Sequence, residues 1–310
     1  MSNETRNRRF ATKSRKFKAK SGENKPIERR SSGMRAHNNI GRPESPKNSP
    51  KNSSKHRDSR KSKGRGREGG SGWIWGLHAV RAVLANKSRT IHQILATDKG
   101  ILKLDLPERA PSPKIVLPQL LDKQFGLGSA HQGVAVKAAP LEWPDISDIA
   151  ADTDDGLILV LDQITDPHNV GAMLRLSSAF GVSALVMQSR HAPPLSGALA
   201  KVAVGCLETV PVCQVTNIAN TLESLKKSGW MVTGLAGETE LELSTALKDN
   251  PKQVIVMGAE GPGLRDRVKK TCDQLARIPM MSSNLAGEAE SLNVATAAAI
   301  ALYEARRGRN

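Results

Sequence analysis

Aromatic residues are scarce in this sequence, at 3% of its 310 residues. Any hydrophobic core must therefore be built from Leu, Val, Ile and Ala, since apolar residues as a whole still make up 38% of the chain. There are only three cysteines, and none has the CxxC or Cys/His spacing of a metal site. An odd number of widely spaced cysteines also argues against a disulfide framework. We therefore expect a reducing, cytoplasmic setting and no bound metal.

Long apolar runs and several well-known catalytic patterns are missing too. No segment approaches the roughly 18 apolar residues that a membrane span requires, and the basic N-terminus has no apolar stretch of the kind found in secretory signals. We expect no membrane association. Beyond the low-complexity start, the chain has no GxGxxG, Walker, GxSxG or HExxH pattern. Their absence disfavours hydride transfer on a standard nucleotide fold, NTP hydrolysis, and serine or zinc hydrolysis.

The net charge of +16 is confined to one end of the chain. Residues 1–72 contain 22 Lys and Arg against six Asp and Glu, whereas residues 73–310 contain 24 of each kind. Because the first segment has almost nothing to bury, burial cannot offset the entropy lost on ordering it, and we predict a disordered tail. Such a tail is either a solubilising arm or a contact for nucleic-acid phosphates. The number of positive charges favours the second interpretation, in which the tail contacts nucleic-acid phosphates.

The rest of the chain is predicted to form two α/β domains joined by a linker. Residues 73–139 mix short helices and strands, and residues 140–155 are acidic with two prolines, which is typical of a linker. Residues 156–310 alternate strand and helix, beginning with a continuous apolar run at 157–161. This alternation predicts a parallel sheet with helices on both faces.

Three short polar clusters follow predicted strands of the second domain. Residues 166–171 are Asp-Pro-His-Asn-Val-Gly, with Arg175 downstream. Residues 258–263 are Gly-Ala-Glu-Gly-Pro-Gly, and residues 291–295 are Ser-Leu-Asn-Val-Ala. Open α/β sheets bind ligands at their strand ends. Three such clusters in one domain therefore indicate a single site built from several loops.

Each cluster also has a simpler structural explanation. Asn169 suits the N-cap of a helix that starts near residue 170 and carries Arg175 in its second turn, and Ser291 suits the cap of the last helix. Glu260 is the better candidate for a ligand contact, because flanking glycines let a ligand approach the backbone closely. A solvated face, rather than a metal site, is predicted for Glu238, Glu240 and Glu242.

In order and spacing, the clusters resemble the three motifs of the SpoU/TrmH (SPOUT) family of RNA ribose 2′-O-methyltransferases. The motifs map onto residues 169–175, 257–264 and 278–295. The N-terminal part is similar to the substrate-binding domain of the bacterial branch that acts on a 23S rRNA guanosine. It starts with Gly-Leu-His-Ala-Val at 76–80 and ends with His-Gln-Gly-Val at 131–134.

This resemblance implies a fold, a cofactor and an assembly. The fold is an α/β parallel sheet whose C-terminal segment forms a trefoil knot. The cofactor is S-adenosyl-L-methionine, no metal is involved, and the enzyme is a homodimer with its site at the dimer interface. The implied cofactor contacts are Leu235, Gly258, Ile278, Met280 and Leu292. The implied catalytic residues are Asn169, Arg175, Glu260, Ser291 and Asn293.

In the reaction that the resemblance implies, a ribose 2′-OH attacks the sulfonium methyl, so the protein orients the two groups and removes a proton. Arg175 is the implied base. Its guanidinium pKa, above about 12, equally suits it to anchor the phosphate beside the target ribose. Asn169 would orient Arg175 or the ribose, and Glu260 would fix the arginine or a nearby loop. Ser291 and Asn293 would position cofactor and substrate.

Two features depart from the family pattern. The stretch between Pro279 and Ser291 is several residues longer than expected, and Pro262 stands where many members have a charged residue. Two other functions stay open: ribose methylation of tRNA, and a non-catalytic RNA-binding role in ribosome assembly on the same fold. The separate N-terminal domain favours rRNA, and the intact polar residues of the three clusters favour catalysis.

Overall fold

The strands form two separate sheets in the computed structural model, which describes residues 72–247, 250–280 and 292–307. The strands are β1 (Trp73–Trp75), β2 (Ile91–Ala96), β3 (Lys114–Ile115), β4 (Val134–Ala138), β5 (Gly156–Asp162), β6 (Ala184–Gln188), β7 (Val212–Val215), β8 (Met231–Leu235), β9 (Lys252–Gly258) and β10 (Gln274–Ala276). The helices are α1 (Leu77–Ala85), α2 (Asp98–Ile101), α3 (Pro118–Phe125), α4 (Ile146–Ala151), α5 (Pro167–Ala179), α6 (Gly197–Val202), α7 (Ile218–Lys227), α8 (Leu243–Ala246), α9 (Asp266–Thr271) and α10 (Val294–Arg306).

The larger sheet has the order β10-β8-β9-β5-β6-β7, and all its strands are parallel. Strand β5 lies near its centre and is buried along its whole length. Leu157 and Leu159 belong to one hydrophobic cluster, while Ile158 and Val160 belong to a second cluster. Because neighbouring residues of a strand point to opposite faces, this division shows that both faces are covered. The predicted parallel sheet with helices on both faces is confirmed.

The smaller sheet has the order β1-β4-β2-β3 and is mixed, with β4 antiparallel to both β1 and β2. Strand β2 and helix α3 belong to the short strands and helices that the sequence predicts within residues 73–139. Strand β3 and helix α2 were not predicted, because two and four residues are too few to show a hydrophobic period.

The predicted linker contains structure of its own. Helix α4 lies within residues 140–155, and its Ala150 is buried against the larger sheet. The carbonyl of Ala150 accepts a hydrogen bond from Nε1 of Trp230 at 3.3 Å. This segment is therefore packed rather than free, although the division of the chain into two domains stays a prediction.

The trefoil knot and the basic tail also stay predictions. The last helix, α10, packs against α5 and β9, but the residues that connect it to β10 include 281–291, which lie outside the described ranges. Residues 1–71 lie outside them as well. Within the described part of the chain, no helix is both long enough and apolar enough to cross a membrane.

A buried ion pair joins the loop after α1 to the turn that follows α6. Nη2 of Arg89 lies 3.6 Å from Oε1 of Glu208, and the two side chains are 4% and 3% exposed. Oε2 of Glu208 accepts a hydrogen bond from Nδ2 of Asn86 at 2.8 Å. Burial raises the pKa of Glu208, although the charge of Arg89 acts in the opposite direction. Each of the two buried charges therefore depends on the other to offset the cost of its removal from water.

Replacing Glu208 with alanine is expected to lower the free energy of unfolding by about 3–5 kcal/mol, because Arg89 would be left as a buried charge without a partner. The double variant Arg89→Leu/Glu208→Leu should be more stable than this single variant, since it buries no charge. Urea denaturation measures both, with Glu223→Ala on an exposed face of α7 as the control. A loss no larger than that of the control would contradict the role of the pair.

Candidate active site

The first polar cluster forms the turn between β5 and α5. Helix α5 starts at Pro167, with Asp166 as its N-cap. The predicted start near Val170, with Asn169 as the cap, is wrong. Proline suits the first helical position because its φ is fixed and its missing N–H is not needed there, and aspartate is a good cap. Asn169 therefore lies inside the first turn, and Arg175 lies in the third turn rather than the second.

The third cluster forms the start of α10. The helix begins at Val294 and not at Ser291 as predicted, because the cap is Asn293, whose Oδ1 accepts hydrogen bonds from the N–H groups of Ala295 at 3.0 Å and Thr296 at 3.4 Å. Ser291 lies outside the described residues, so its role in the site stays a prediction.

Asn293 joins the three clusters through its side-chain amide. Its Nδ2 donates to Oε1 of Glu260 at 2.7 Å and to Oδ1 of Asn169 at 3.3 Å. The same Glu260 oxygen accepts the backbone N–H of Val294 at 3.1 Å. Three residues separated by up to 124 positions in sequence therefore share one hydrogen-bonded group. Glu260 therefore holds the first turn of α10, and its part in the reaction stays a prediction.

Arg175 is not part of this hydrogen-bonded group. It is exposed on α5, and no hydrogen bond or ion pair joins its guanidinium to any other residue of 72–247, 250–280 or 292–307. Asn169 was expected to orient Arg175 or the ribose; among the described residues its side chain pairs with Asn293 and not with Arg175, and its contact with a ribose stays a prediction. The guanidinium donors of Arg175 are thus available to a bound substrate.

The second cluster folds into a tight loop at the end of β9. The N–H of Gly263 donates to the carbonyl of Ala259 at 2.9 Å, and Gly261 and Gly263 have φ values of 83° and 69°. A Cβ on Gly258 would lie 2.2 Å from the carbonyl carbon of Gly263 and 2.4 Å from the backbone nitrogen of Leu264. The loop therefore requires glycine where the backbone turns back on itself.

A cavity of about 430 Å³ opens at the carboxyl ends of β8, β9 and β10. This is the edge at which open α/β sheets bind ligands. The lining includes Glu260 and apolar or small residues of all three strand-end loops and α10. All five residues that the resemblance implies as cofactor contacts also line it: Leu235, Gly258, Ile278, Met280 and Leu292.

Three charged residues that were not predicted as ligand contacts line the same cavity. Nζ of Lys269 donates a hydrogen bond to Oε1 of Glu238, and this bond lowers the pKa of the glutamate. Nε of Arg277 is buried and has no hydrogen-bond partner among the residues that the structure describes. The sequence pattern predicts a solvated face for Glu238, whereas the structure places it at the cavity. Its place just after a predicted strand was the available signal for a site residue.

A fully buried carboxylate anchors the far end of the 258–263 loop. Asp162 ends β5 and accepts two hydrogen bonds from Arg265, from the backbone N–H at 2.9 Å and from Nε at 2.8 Å. Nη2 of the same arginine lies 2.6 Å from Oδ1 of Asp162, which completes an ion pair. The pair ties the strand that precedes the first cluster to the residue that follows the second loop. Sequence reasoning missed this contact, because the two residues are 103 positions apart.

The chain is similar to known proteins over both of its sheets. Residues 156–303 match the model of the SpoU rRNA Methylase family, and residues 73–144 match the model described as RNA 2′-O ribose methyltransferase substrate binding. The 23S rRNA (guanosine-2′-O-)-methyltransferase RlmB of Vibrio parahaemolyticus is 38% identical over 246 residues, covering 76% of this chain and 97% of that protein. The RlmB protein of Escherichia coli is 36% identical over 248 residues, covering 76% and 98%.

Solved structures show the same fold. A TrmH-family protein from Porphyromonas gingivalis superposes with a TM-score of 0.61 at 25% identity, covering 79% of this chain and 92% of that one. An rRNA methyltransferase from Sinorhizobium meliloti, solved with S-adenosylmethionine bound, gives a TM-score of 0.63 at 24% identity and covers 76% and 86%. By identity and coverage, the chain belongs to the SpoU family of RNA ribose 2′-O-methyltransferases.

Proposed function

We propose that this chain transfers the methyl group of S-adenosylmethionine to the ribose 2′-OH of a guanosine in 23S rRNA. As a family member it is an RNA ribose 2′-O-methyltransferase with S-adenosylmethionine as methyl donor. The 23S rRNA guanosine is supported by two relatives that carry this activity in their names and are 36–38% identical over nearly their whole length. The observation that carries the proposal is the strand-end cavity beside the hydrogen-bonded group of Asn169, Glu260 and Asn293.

The cavity fits the cofactor in size and in chemistry. Small-molecule sites commonly enclose about 300–1,000 Å³ and combine apolar walls with a few polar groups. Here apolar walls meet the backbone of the Gly-rich loop at 258–263, which can approach a ligand closely because its glycines carry no side chains. We propose that residues around Leu235, Gly258, Ile278, Met280 and Leu292 hold the cofactor, which supplies an activated methyl group when bound.

The protein's own part in the reaction is to orient the ribose hydroxyl and to deal with its proton. Glu260 and Asn293 hold the start of α10 against the cavity, which fixes one wall of the site. Asn169 presents its remaining amide donors beside them. Arg175 has free guanidinium donors that can reach a substrate, either to remove the hydroxyl proton with the help of a phosphate or water or to anchor the adjoining phosphate.

The deciding experiment maps ribose methylation in rRNA and tRNA from a strain that lacks the gene. We expect one 2′-O-methylguanosine to disappear from 23S rRNA and to return with the wild-type gene but not with Arg175→Ala. Loss of a methyl group from tRNA instead would establish the tRNA alternative. Unchanged methylation, together with no calorimetric binding of S-adenosylmethionine, would point to the non-catalytic assembly factor.

We also propose a homodimer that acts in the cytoplasm, where bacterial rRNA is made. The support for the dimer is the outer face of α10, where Ile300 is 38% exposed and Tyr303 is 57% exposed although both are large and partly apolar. Single exposed apolar residues are normal on a protein surface, but Ile300 and Tyr303 lie one turn apart on the same helix face, where neighbouring side chains can join into an interface patch. Sedimentation equilibrium should give twice the mass of one chain.

Deleting residues 1–72 is expected to weaken rRNA binding at moderate salt and to flatten its dependence on salt. The segment carries 22 positive charges, and each phosphate contact that is lost reduces the slope of log affinity against log salt by roughly 0.7–0.9. Filter binding across a salt series measures both quantities. Equal slopes for the full and shortened chains would make the tail a solubilising arm.

A further inference from the structure

The charged residues of the strand-end cavity are not equally available to a ligand. Among the described residues that line it, the carboxylates are Glu238 and Glu260, and the cations include Lys269 and Arg277. Glu260 already accepts two hydrogen bonds, from Asn293 and from the backbone of α10. Glu238 receives one hydrogen bond from the side chain of Lys269 and one from its own backbone, and its side chain is 64% exposed toward solvent. Glu238 is therefore the carboxylate that a ligand can engage.

Lys269 gives this carboxylate a fixed direction. It donates from α9 to Oε1 of Glu238, which lies on the loop after β8. An ionised carboxylate has about four lone-pair sites, so one ammonium contact leaves room for further donors. The hydrogen bond from Lys269 also holds the pKa of Glu238 below its usual value, so the group stays ionised to a lower pH than an ordinary glutamate does. Hydrogen bonds to an ionised acceptor are stronger than those between neutral groups.

S-adenosylmethionine carries a pair of hydrogen-bond donors that matches the carboxylate of Glu238. Its adenosine ribose carries two adjacent hydroxyl groups, which lose hydrogen bonds to water on entering a cavity and need acceptors there. A carboxylate on the loop after a parallel strand meets a ribose in the same way in dinucleotide-binding folds. Glu238 lies three residues beyond Leu235, the last residue of β8 and itself part of the cavity wall.

We propose that Glu238 accepts the hydroxyl groups of the cofactor's adenosine ribose and that Lys269 positions its carboxylate for this contact. The inference rests on the proposed function, because it assumes that S-adenosylmethionine occupies this cavity. Glu238 is then a specificity-determining residue that distinguishes a ribonucleoside sulfonium or thioether from one without ribose hydroxyls. Lys269 is a positioning residue that acts through Glu238.

Calorimetry on the full chain tests this with two ligands, S-adenosylhomocysteine and its 2′,3′-dideoxy analogue. Glu238→Gln should bind S-adenosylhomocysteine about tenfold or more weakly than wild type, which is the usual size of a hydrogen bond to a charged group. The analogue should bind the variant and the wild type with about equal affinity, because the contact is already missing. Lys269→Ala should weaken S-adenosylhomocysteine binding, and Lys269→Arg should restore most of it.

Glu242→Gln is the matched control, because this glutamate lies on the same loop, is exposed, has no ion pair with another described residue and does not line the cavity. It should bind both ligands as the wild type does. If Glu238→Gln lowered the affinity for both ligands equally, or for neither, the proposed ribose contact would be overturned, but the proposed cofactor site would not be affected. A wild-type protein that bound neither ligand would instead overturn the proposed function, and the ribose contact with it.

Discussion

Replacing Arg175 with alanine is expected to abolish methyl transfer while leaving cofactor binding intact. The side chain is exposed on α5 and makes no polar contact within the described ranges, so its removal disturbs no other part of the described site. It also does not line the strand-end cavity. As the group that moves the proton in the transition state, Arg175 would account for a loss of about 10²–10⁴-fold in kcat/KM on its removal. Single-turnover methylation of an rRNA fragment and calorimetry with S-adenosylmethionine measure the two properties.

Ser178→Ala is the control for this variant. Ser178 is exposed on the same helix, so the Ser178→Ala protein should retain full activity.

Arg175→Lys separates the two roles that stay open for the arginine. A phosphate anchor keeps its charge as lysine but loses its planar two-point geometry, so KM for RNA should rise with kcat nearly unchanged. A role in the chemical step should lower kcat instead. Loss of cofactor affinity in Arg175→Ala would contradict the assignment altogether.

The parts of the fold that sequence predicted best are those in which one local pattern decides the outcome. The apolar run of β5 predicts a strand buried on both faces, and in the structure its residues belong alternately to two hydrophobic clusters. Helix α7 behaves in the same way, since its buried Leu222 and Leu225 are three residues apart and Asn217 caps its start. In such segments the hydrophobic period and the local capping preference agree, so no distant contact is needed to settle the assignment.

Errors arose where two local preferences competed. Asn169 and Asp166 are both good caps, and only the proline between them places the start of α5 at Pro167. At α10, Ser291 and Asn293 compete in the same way, and the structure uses Asn293, whose other side-chain group is held by Glu260. That choice depends on a residue 33 positions away.

Contacts between distant residues could not be read from the sequence at all. Asp162 looks like the polar end of an apolar run, yet it is fully buried and holds Arg265. Glu238 looks like one of three alternating surface glutamates, yet it lines the cavity with Lys269. Several charged residues look alike in the sequence, and the ones that become part of the site are those that lie where the strand ends converge. The order of the strands in the sheet decides this, and no local pattern reveals it.

Replacing Gly258 with alanine is expected to do the reverse of Arg175→Ala, because it should damage cofactor binding first. The new methyl group would lie 2.2 Å from the carbonyl carbon of Gly263 and 2.4 Å from the backbone nitrogen of Leu264. These are backbone atoms that cannot rotate away, so the loop must open and lose its closing hydrogen bond from Gly263 to Ala259. Overpacking of this kind costs about 1–3 kcal/mol of stability.

Because the displaced loop forms one wall of the strand-end cavity, affinity for S-adenosylmethionine should fall together with Tm, by several degrees for a domain of this size. Gly237→Ala is the matched control for stability. Gly237 lines the same cavity, but a Cβ there meets no atom within 4 Å, so its effect on stability should stay within about 0.5 kcal/mol. Differential scanning fluorimetry and calorimetry measure the two effects. A Gly258→Ala protein with wild-type Tm and wild-type affinity would mean that the 258–263 loop does not close on itself as the structure has it. A cavity formed by that closure would then be the wrong place for the methyl donor.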